Sequence, residues 1–167
     1  MDYISVNLLA RPNEDDIKRI AFASRLSFKN TKITTFNEDL LLLSKLIKLG
    51  DDEAKSLRGI DITYLLNAPR YFWHEFVTYR IGNEQLGSQS TMHSAPKFET
   101  EQDFIEYKRS IIEGTFQLRM FKTSYQTLRR MYYARRNHRL PEWKEFCKWI
   151  EKLPYAKELI LIEKGNK

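Results

Sequence analysis

Cysteine is nearly missing from this chain of 167 residues: Cys147 stands alone, which excludes an internal disulfide and any multi-cysteine metal centre. The three histidines, at 74, 93 and 138, show no metal-ligand spacing, so no metal is expected. Glycine (6) and proline (5) are scarce, and no repeat, low-complexity segment or linker interrupts the chain. No apolar run approaches the roughly 18 residues that a membrane span needs. Met1-Asp2-Tyr3-Ile4 lacks the basic flank and small-residue cleavage site of a secretory signal. A soluble, cytoplasmic protein with no membrane partner is the expectation. GxGxxG, Walker A and HExxH are all absent, which removes the common dinucleotide, nucleoside triphosphate and zinc-hydrolase motifs.

What is present suffices for one core. Hydrophobic residues make up 42% and aromatic ones 13% of the chain, beside 30% charged residues, and this supports a single domain over 1–167. The net charge of +6 is unevenly placed: residues 107–152 hold 12 Lys/Arg against four Glu, or +8, so the remainder carries −2. A basic half suits an anionic partner, either nucleic acid or a phosphorylated small molecule, and equally suits a solvated helix face.

Ile4, Val6 and Leu8 alternate with polar residues and predict a first strand ending before Pro12. Asn13, with Asp16 three residues on, predicts a helix start, and the helix runs to about Ser27. A second helix is predicted from Asn37 as N-cap to Leu49, stopped by Gly50. Its Leu40 to Leu43 run is apolar on every side, which predicts burial at the centre or in an oligomer interface. A short charged helix follows over 51–58. Ile60, Ile62, Tyr64 and Leu66 alternate as a second strand, and Pro69 falls at N1 of an aromatic helix reaching Tyr79 and Arg80. Residues 82–100 show no period and predict a long polar loop. Three helices are expected after it: 101–113, 116 to about 136, and 141–153. Residues 158–163 read as a last strand or as a hydrophobic tail pairing with a neighbour. Strands and helices without regular βαβ alternation predict an α+β architecture.

Two stretches carry chemistry. Arg80, Glu84, Gln85, Gly87, Ser88, Gln89, Ser90 and Thr91 form a donor-rich strip able to bond a base, a sugar and a phosphate, unless it is merely a solvated loop. Arg129, Tyr132, Tyr133 and Arg136, spaced three or four apart, share a helix face, and Arg130, Arg135, His138 and Arg139 lie beside them. Aromatics beside guanidinium groups are what stacking of a flavin, nucleotide or single-stranded base needs; a surface array of charge has the same composition. His74, among aromatic neighbours, reads as a structural histidine rather than a general base. Cys147, between Phe146 and Trp149, reads as core rather than nucleophile.

Taken together, several segments resemble the flavin-dependent thymidylate synthases, the ThyX family. Ala23-Ser24-Arg25-Leu26-Ser27-Phe28 resembles the family's Ala-Ala-Arg-x-Ser-(Phe/Tyr), and Leu46 to Gly50 resembles the helix before its Gly-His-x-Ser-Pro-x-Glu-His segment. Ala68-Pro69 and the aromatic helix ending at Tyr79-Arg80 are similar to the stretch bearing Arg-His-Arg-x7-Ser. Asn83-Glu84-Gln85 with Gly87 resembles Asn-Glu-x-Ser-Gly-Arg-Tyr. Arg109-Ser110-Ile111-Ile112, Thr127-Leu128-Arg129 and Glu142-Trp143 resemble Arg-x-x-Leu-Pro, Asn-Leu-Arg and Gln-Trp-Glu. The matches are colinear over nearly the whole chain. The signature is altered: Thr78-Tyr79-Arg80 lacks its first Arg and its His, and Gly50-Asp51-Asp52-Glu53-Ala54 replaces the flavin-holding Gly-His segment. Two alignments of 83–90 stand, one keeping Ser88 as the motif's Ser, the other placing Leu86 there and Ser88 at the phosphate-binding Arg.

The resemblance implies a ThyX-like α+β fold, with a small central, mostly antiparallel sheet packed with helices, in a divergent member of the kind small viral genomes carry. It implies reductive methylation of dUMP, a pyrimidine deoxynucleotide, in which NADPH reduces bound FAD, methylenetetrahydrofolate supplies the carbon and the flavin delivers a hydride. Arg80 and Ser88 are then implied as catalytic, Glu84, Gly87, Ser90 and Arg109 as substrate-binding, and Ser27, Tyr79, Arg80, Arg129 and His138 as cofactor-binding. A homotetramer with shared sites is implied too. Two other readings remain open: a ThyX-fold homologue that has lost this reaction and binds a nucleotide or modifies another pyrimidine, and a basic module that binds nucleic acid or protein.

Overall fold

The computed structural model describes residues 3–93 and 95–163. Met1, Asp2 and Ser94 of the predicted loop lie outside the described residues. Four antiparallel strands form one sheet in the order β1-β2-β4-β3: β1 is Ser5–Ala10, β2 Asp61–Pro69, β3 Asn83–Ser88 and β4 Phe116–Ser124. Helices α1 (Glu14–Arg25), α2 (Phe36–Leu49), α3 (Arg70–Phe76), α4 (Glu101–Ser110), α5 (Tyr125–Arg135), α6 (Pro141–Ile150) and α7 (Ala156–Leu159) complete the fold. It is the α+β architecture that the patterning predicts.

β2 shows why the core sits where it does. Ile62, Tyr64, Leu66 and Ala68 are buried while Asp61, Thr63, Leu65 and Asn67 are only half-buried, the period of two that turns one strand face inward. Tyr64 pairs with Phe121 of β4 and packs on Phe146 and Trp149 of α6 at 6.0 and 5.0 Å. Phe76 of α3 meets Phe121 at 4.9 Å and Phe146 at 5.5 Å. Ile17 and Ala21 of α1 and Leu43 and Ile47 of α2 belong to the same cluster.

Local signals set most helix starts. Asn13 and Asp16 close a reciprocal capping box at α1. At α2 the cap is Thr35, boxed with Glu38, and Asn37 lies inside the helix rather than before it. The Leu40 to Leu43 run splits: Leu43 is buried, whereas Leu41 is 54% exposed. Residues 53–59 are a 3-10 helix, and Pro69 ends β2 as the cap of α3 instead of opening the helix.

Further expectations are corrected. Residues 83–88 are a strand, not loop: β3 is an exposed sheet edge, so no buried face stamps a period on it, and only its ladder to β4 defines it. Of the helix expected over 116–136, Phe116–Ser124 is strand β4 and only Tyr125–Arg135 is helix, capped by the Ser124 hydroxyl, which accepts from the Thr127 amide at 3.3 Å. No glycine or proline marks that junction. α3 ends at Phe76 and α4 at Ser110, short of Arg80 and Glu113. Residues 158–163 form no strand: α7 ends at Leu159, and the chain beyond is held through Arg129.

Candidate functional site

The carboxylate of Glu75, in the last turn of α3, joins α3, α5 and α6. Its Oε2 accepts from the Arg135 guanidinium at 2.7 Å and the Trp143 indole at 3.0 Å, and lies 3.5 Å from His138 Nε2. Arg135 Nε donates to the Tyr79 hydroxyl at 2.9 Å. Arg135 also stacks over Trp143 at 4.9 Å. Tyr79 is thereby held in place two residues after the α3 cap.

Tyr79 and the α5 face enclose a cleft of about 600 Å³ lined by Arg129, Arg130, Tyr133 and Arg136, with the carboxylates of Asp51 and Glu163. Three arginines against two carboxylates leave it net positive. Spacings of three and four on α5 put Arg129, Tyr133 and Arg136 on one side, and Arg136 lies 4.9 Å over the Tyr133 ring. The Tyr133 hydroxyl is buried without a hydrogen-bond partner among the described residues. Such a group costs free energy unless something else satisfies it. Arg129 is only 4% exposed: its Nη1 donates to the Ile160 carbonyl at 2.6 Å and to that of Ile162, and its guanidinium stacks on Tyr133 at 4.7 Å.

A second hollow of about 500 Å³ shares Tyr79 and Arg130 with the first and adds Thr78, Arg80, Ile81 and Thr127. The chain between α3 and β3 is pinned there, since Thr127 donates to the Ile81 carbonyl at 2.6 Å and the Gly82 carbonyl accepts from the Ser124 amide at 2.8 Å. Gly82 has φ +70°, and a Cβ on it would come within 2.5 Å of Ser124 Oγ and 2.7 Å of Thr127 Oγ1. Gly82→Ala is therefore expected to cost about 2 kcal/mol, read as a lower melting temperature. An unchanged melting temperature would show that the turn relaxes freely.

The sequence-predicted residues divide. Tyr79, Arg80 and Arg129 are brought together in the joined hollows, and His138 lines neither of them but lies 3.5 Å from Glu75, which reaches Tyr79 through Arg135. Ser27, in the 3-10 turn after α1, is exposed and bonds back to Ser24. Glu84, Gly87 and Ser88 lie on exposed β3, opposite Lys122, Met120 and Arg119. Ser90 accepts from the Met92 amide at 3.1 Å. Arg109 is exposed in the last turn of α4. None of these six lines either hollow. Arg130, Thr78 and Thr127 were not among the predicted site residues. Arg130 follows Arg129 in the basic cluster, but nothing local distinguishes it from surface charge. Tyr132, predicted on the same face, instead donates to Glu151 at 2.9 Å.

His74 is exposed and pairs with Glu113 at 2.9 Å. Cys147 is buried, and burial pushes its thiol up to about 12, so it is core, not nucleophile. Among the described residues no group of His, Cys, Asp and Glu is placed to hold a metal, and no helix is long and apolar enough to cross a membrane.

No family model matches the chain, and no curated protein sequence matches it. Solved structures do. Thymidylate synthase X (ThyX) from Helicobacter pylori, crystallised with FAD and dUMP, superposes with a TM-score of 0.71 at 12% identity, over 95% of this chain and 98% of that one. Another structure of the flavin-dependent thymidylate synthase ThyX from Helicobacter pylori, complexed with FAD and dUMP, gives 0.71 at 11% identity, over 94% and 98%. Over the 95% of its length that superposes, this chain has the ThyX fold.

Proposed function

We propose that this protein is a ThyX-type flavoprotein that holds FAD along α5 and acts on a pyrimidine deoxynucleotide, with reductive methylation of dUMP as its reaction. The observation that carries the reading is the cationic, aromatic cleft on α5, with a Tyr133 hydroxyl that has no partner among the described residues, in a chain whose structural neighbours were solved with FAD and dUMP. The donor set fits the cofactor. Arg130 and Arg136 offer guanidinium groups to a pyrophosphate, Tyr79 offers a ring face to a flat heterocycle, and Tyr133 offers its hydroxyl as a donor. About 600 Å³ is within the range of cofactor sites. When bound, FAD supplies the hydride of the reaction. The chain's own share is to bind, orient and exclude water; with Cys147 buried and unreactive, a thiolate-based route has no support. Assembly into a homotetramer would bring Ser88, Glu84, Gly87, Ser90 and Arg109, all outside the α5 hollows, to a shared site.

The test is the absorbance of purified protein between 300 and 550 nm, then titration with FAD and assay of dUMP turnover. Flavin bands, and an Arg130→Ala variant with about tenfold weaker FAD binding and an unchanged apo melting temperature, are expected. A spectrum that stays flat with added FAD would overturn the reading. A second reading, nucleotide binding without methyl transfer, is favoured by Thr78 and Tyr79 standing where the family signature has Arg and His. FAD binding without turnover would select it.

A further inference from the structure

Arg136, at the mouth of the α5 cleft, faces a carboxylate of its own chain. Glu163 lines the same cleft, and its Oε1 lies 3.4 Å from Nη1 and 3.5 Å from Nη2 of Arg136. Both distances are at the outer limit of a hydrogen bond, and both fall on one oxygen, so the planar fork is not met by a bidentate carboxylate. Glu163 is also 73% exposed, which leaves the pair screened by water and of little worth to stability.

The segment that delivers Glu163 is held far more firmly than Glu163 itself. Leu159 and Ile160 are fully buried, and Leu161 and Ile162 pack against the core. The amides of Ile160 and Leu161 both donate to the Ala156 carbonyl at 2.8 Å, and Arg129 holds the carbonyls of Ile160 and Ile162. One residue beyond this last anchor stands the loosely paired carboxylate. Arg136, for its part, does not need Glu163 to be aimed: its guanidinium lies 4.9 Å over the Tyr133 ring and 6.0 Å over that of Tyr132, and its amide donates to the Tyr132 carbonyl at 2.8 Å.

We propose that Glu163 is a displaceable clasp on the α5 cleft: its carboxylate occupies Arg136 in the free protein and yields that guanidinium to a phosphate of the entering ligand. The proposal rests on the reading of this cleft as the anion site. Two phosphate oxygens can meet the fork of Arg136 with short, charge-assisted bonds, where Glu163 offers one distant oxygen. Every ligand must first break the pair, so the clasp lowers affinity by what the pair is worth. That cost falls unevenly. A small monoanion gains from Arg136 little more than it displaces, whereas a diphosphate brings a second charged group for Arg130, which lines the same cleft. The clasp therefore biases the cleft toward diphosphates.

Calorimetric titration of the whole protein with inorganic pyrophosphate, and separately with FAD, at matched ionic strength tests the assignment. Glu163→Gln is expected to bind both about threefold more tightly than the parent, with an unchanged melting temperature. In an Arg136→Gln background the same substitution should change affinity by less than about 1.5-fold, because no clasp is left to open. Binding by Glu163→Gln that is unchanged or weaker would overturn the proposal, and so would an equal gain in both backgrounds, which is general charge repulsion. The Glu163 amide resonance in 15N-labelled parent gives a second measure: saturating pyrophosphate should move it and leave that of buried Ile160 in place, and an unmoved Glu163 would also overturn the clasp. FAD bound equally by parent and Glu163→Gln sinks the clasp alone. Pyrophosphate bound more tightly by Glu163→Gln, with no FAD binding by either protein, sinks the FAD reading and keeps the clasp; binding of neither anion overturns both.

Discussion

Trp143→Ala is expected to remove about 4 kcal/mol of stability and to lower the melting temperature by roughly 10 °C. Trp143 is fully buried and lies 4.7 Å from Phe72, 5.8 Å from Phe76 and 6.0 Å from Phe146. Truncation opens a cavity at the centre of an aromatic cluster that rigid neighbours cannot fill. It also deprives Glu75 of the indole donor and Arg135 of the ring beneath it, so Tyr79 loses its support. FAD affinity is expected to fall along with stability. Trp143→Phe keeps most of the packing and loses only the donor, for about 1.5 kcal/mol. Urea unfolding of the three proteins checks this. A cost below about 1 kcal/mol for alanine would mean that the cluster repacks.

Arg129→Met is the second large effect, about 3 kcal/mol, because the guanidinium closes the fold as well as lining the cleft. Methionine keeps the length of the stem but leaves the Ile160 and Ile162 carbonyls without their donor and removes the stack on Tyr133. Hydrogen exchange over 156–162 is expected to accelerate well beyond the change in global stability. Arg130→Ala, one residue on, should do the opposite: weaker FAD binding at unchanged stability. Equal melting temperatures for parent and Arg129→Met would assign Arg129 to ligand alone. The sequence resemblance implies only the cofactor role; the bonds to the C-terminal carbonyls arise from contacts across 31 and 33 residues.

Much of the fold is legible where one residue's neighbours in sequence are also its neighbours in space. The alternation of Ile62, Tyr64 and Leu66, the capping box at Asn13, and Pro141 opening α6 are short-range features, and each is found where its pattern predicts. β3 and β4 are not legible: the pattern predicts a loop and a helix in their places. An edge strand faces water on most of its surface, and β4 runs into α5 through Ser124 with no break in polarity.

The site follows the same division. Composition and spacing by themselves determined an α+β chain with a basic, aromatic helix whose spacing predicts a shared face for Arg129, Tyr132, Tyr133 and Arg136. Tertiary structure alone decided what those side chains do. It committed Arg129 to the C-terminal carbonyls, turned Tyr132 to Glu151, and set Tyr79 against Arg135 through Glu75. It also gathered Arg119, Lys108, Arg70 and His74, which are scattered over 50 positions of sequence, around one hollow. Periodicity reports which way a side chain points from its own helix or strand; which charges meet there depends on the strand pairing and helix packing that bring distant segments together.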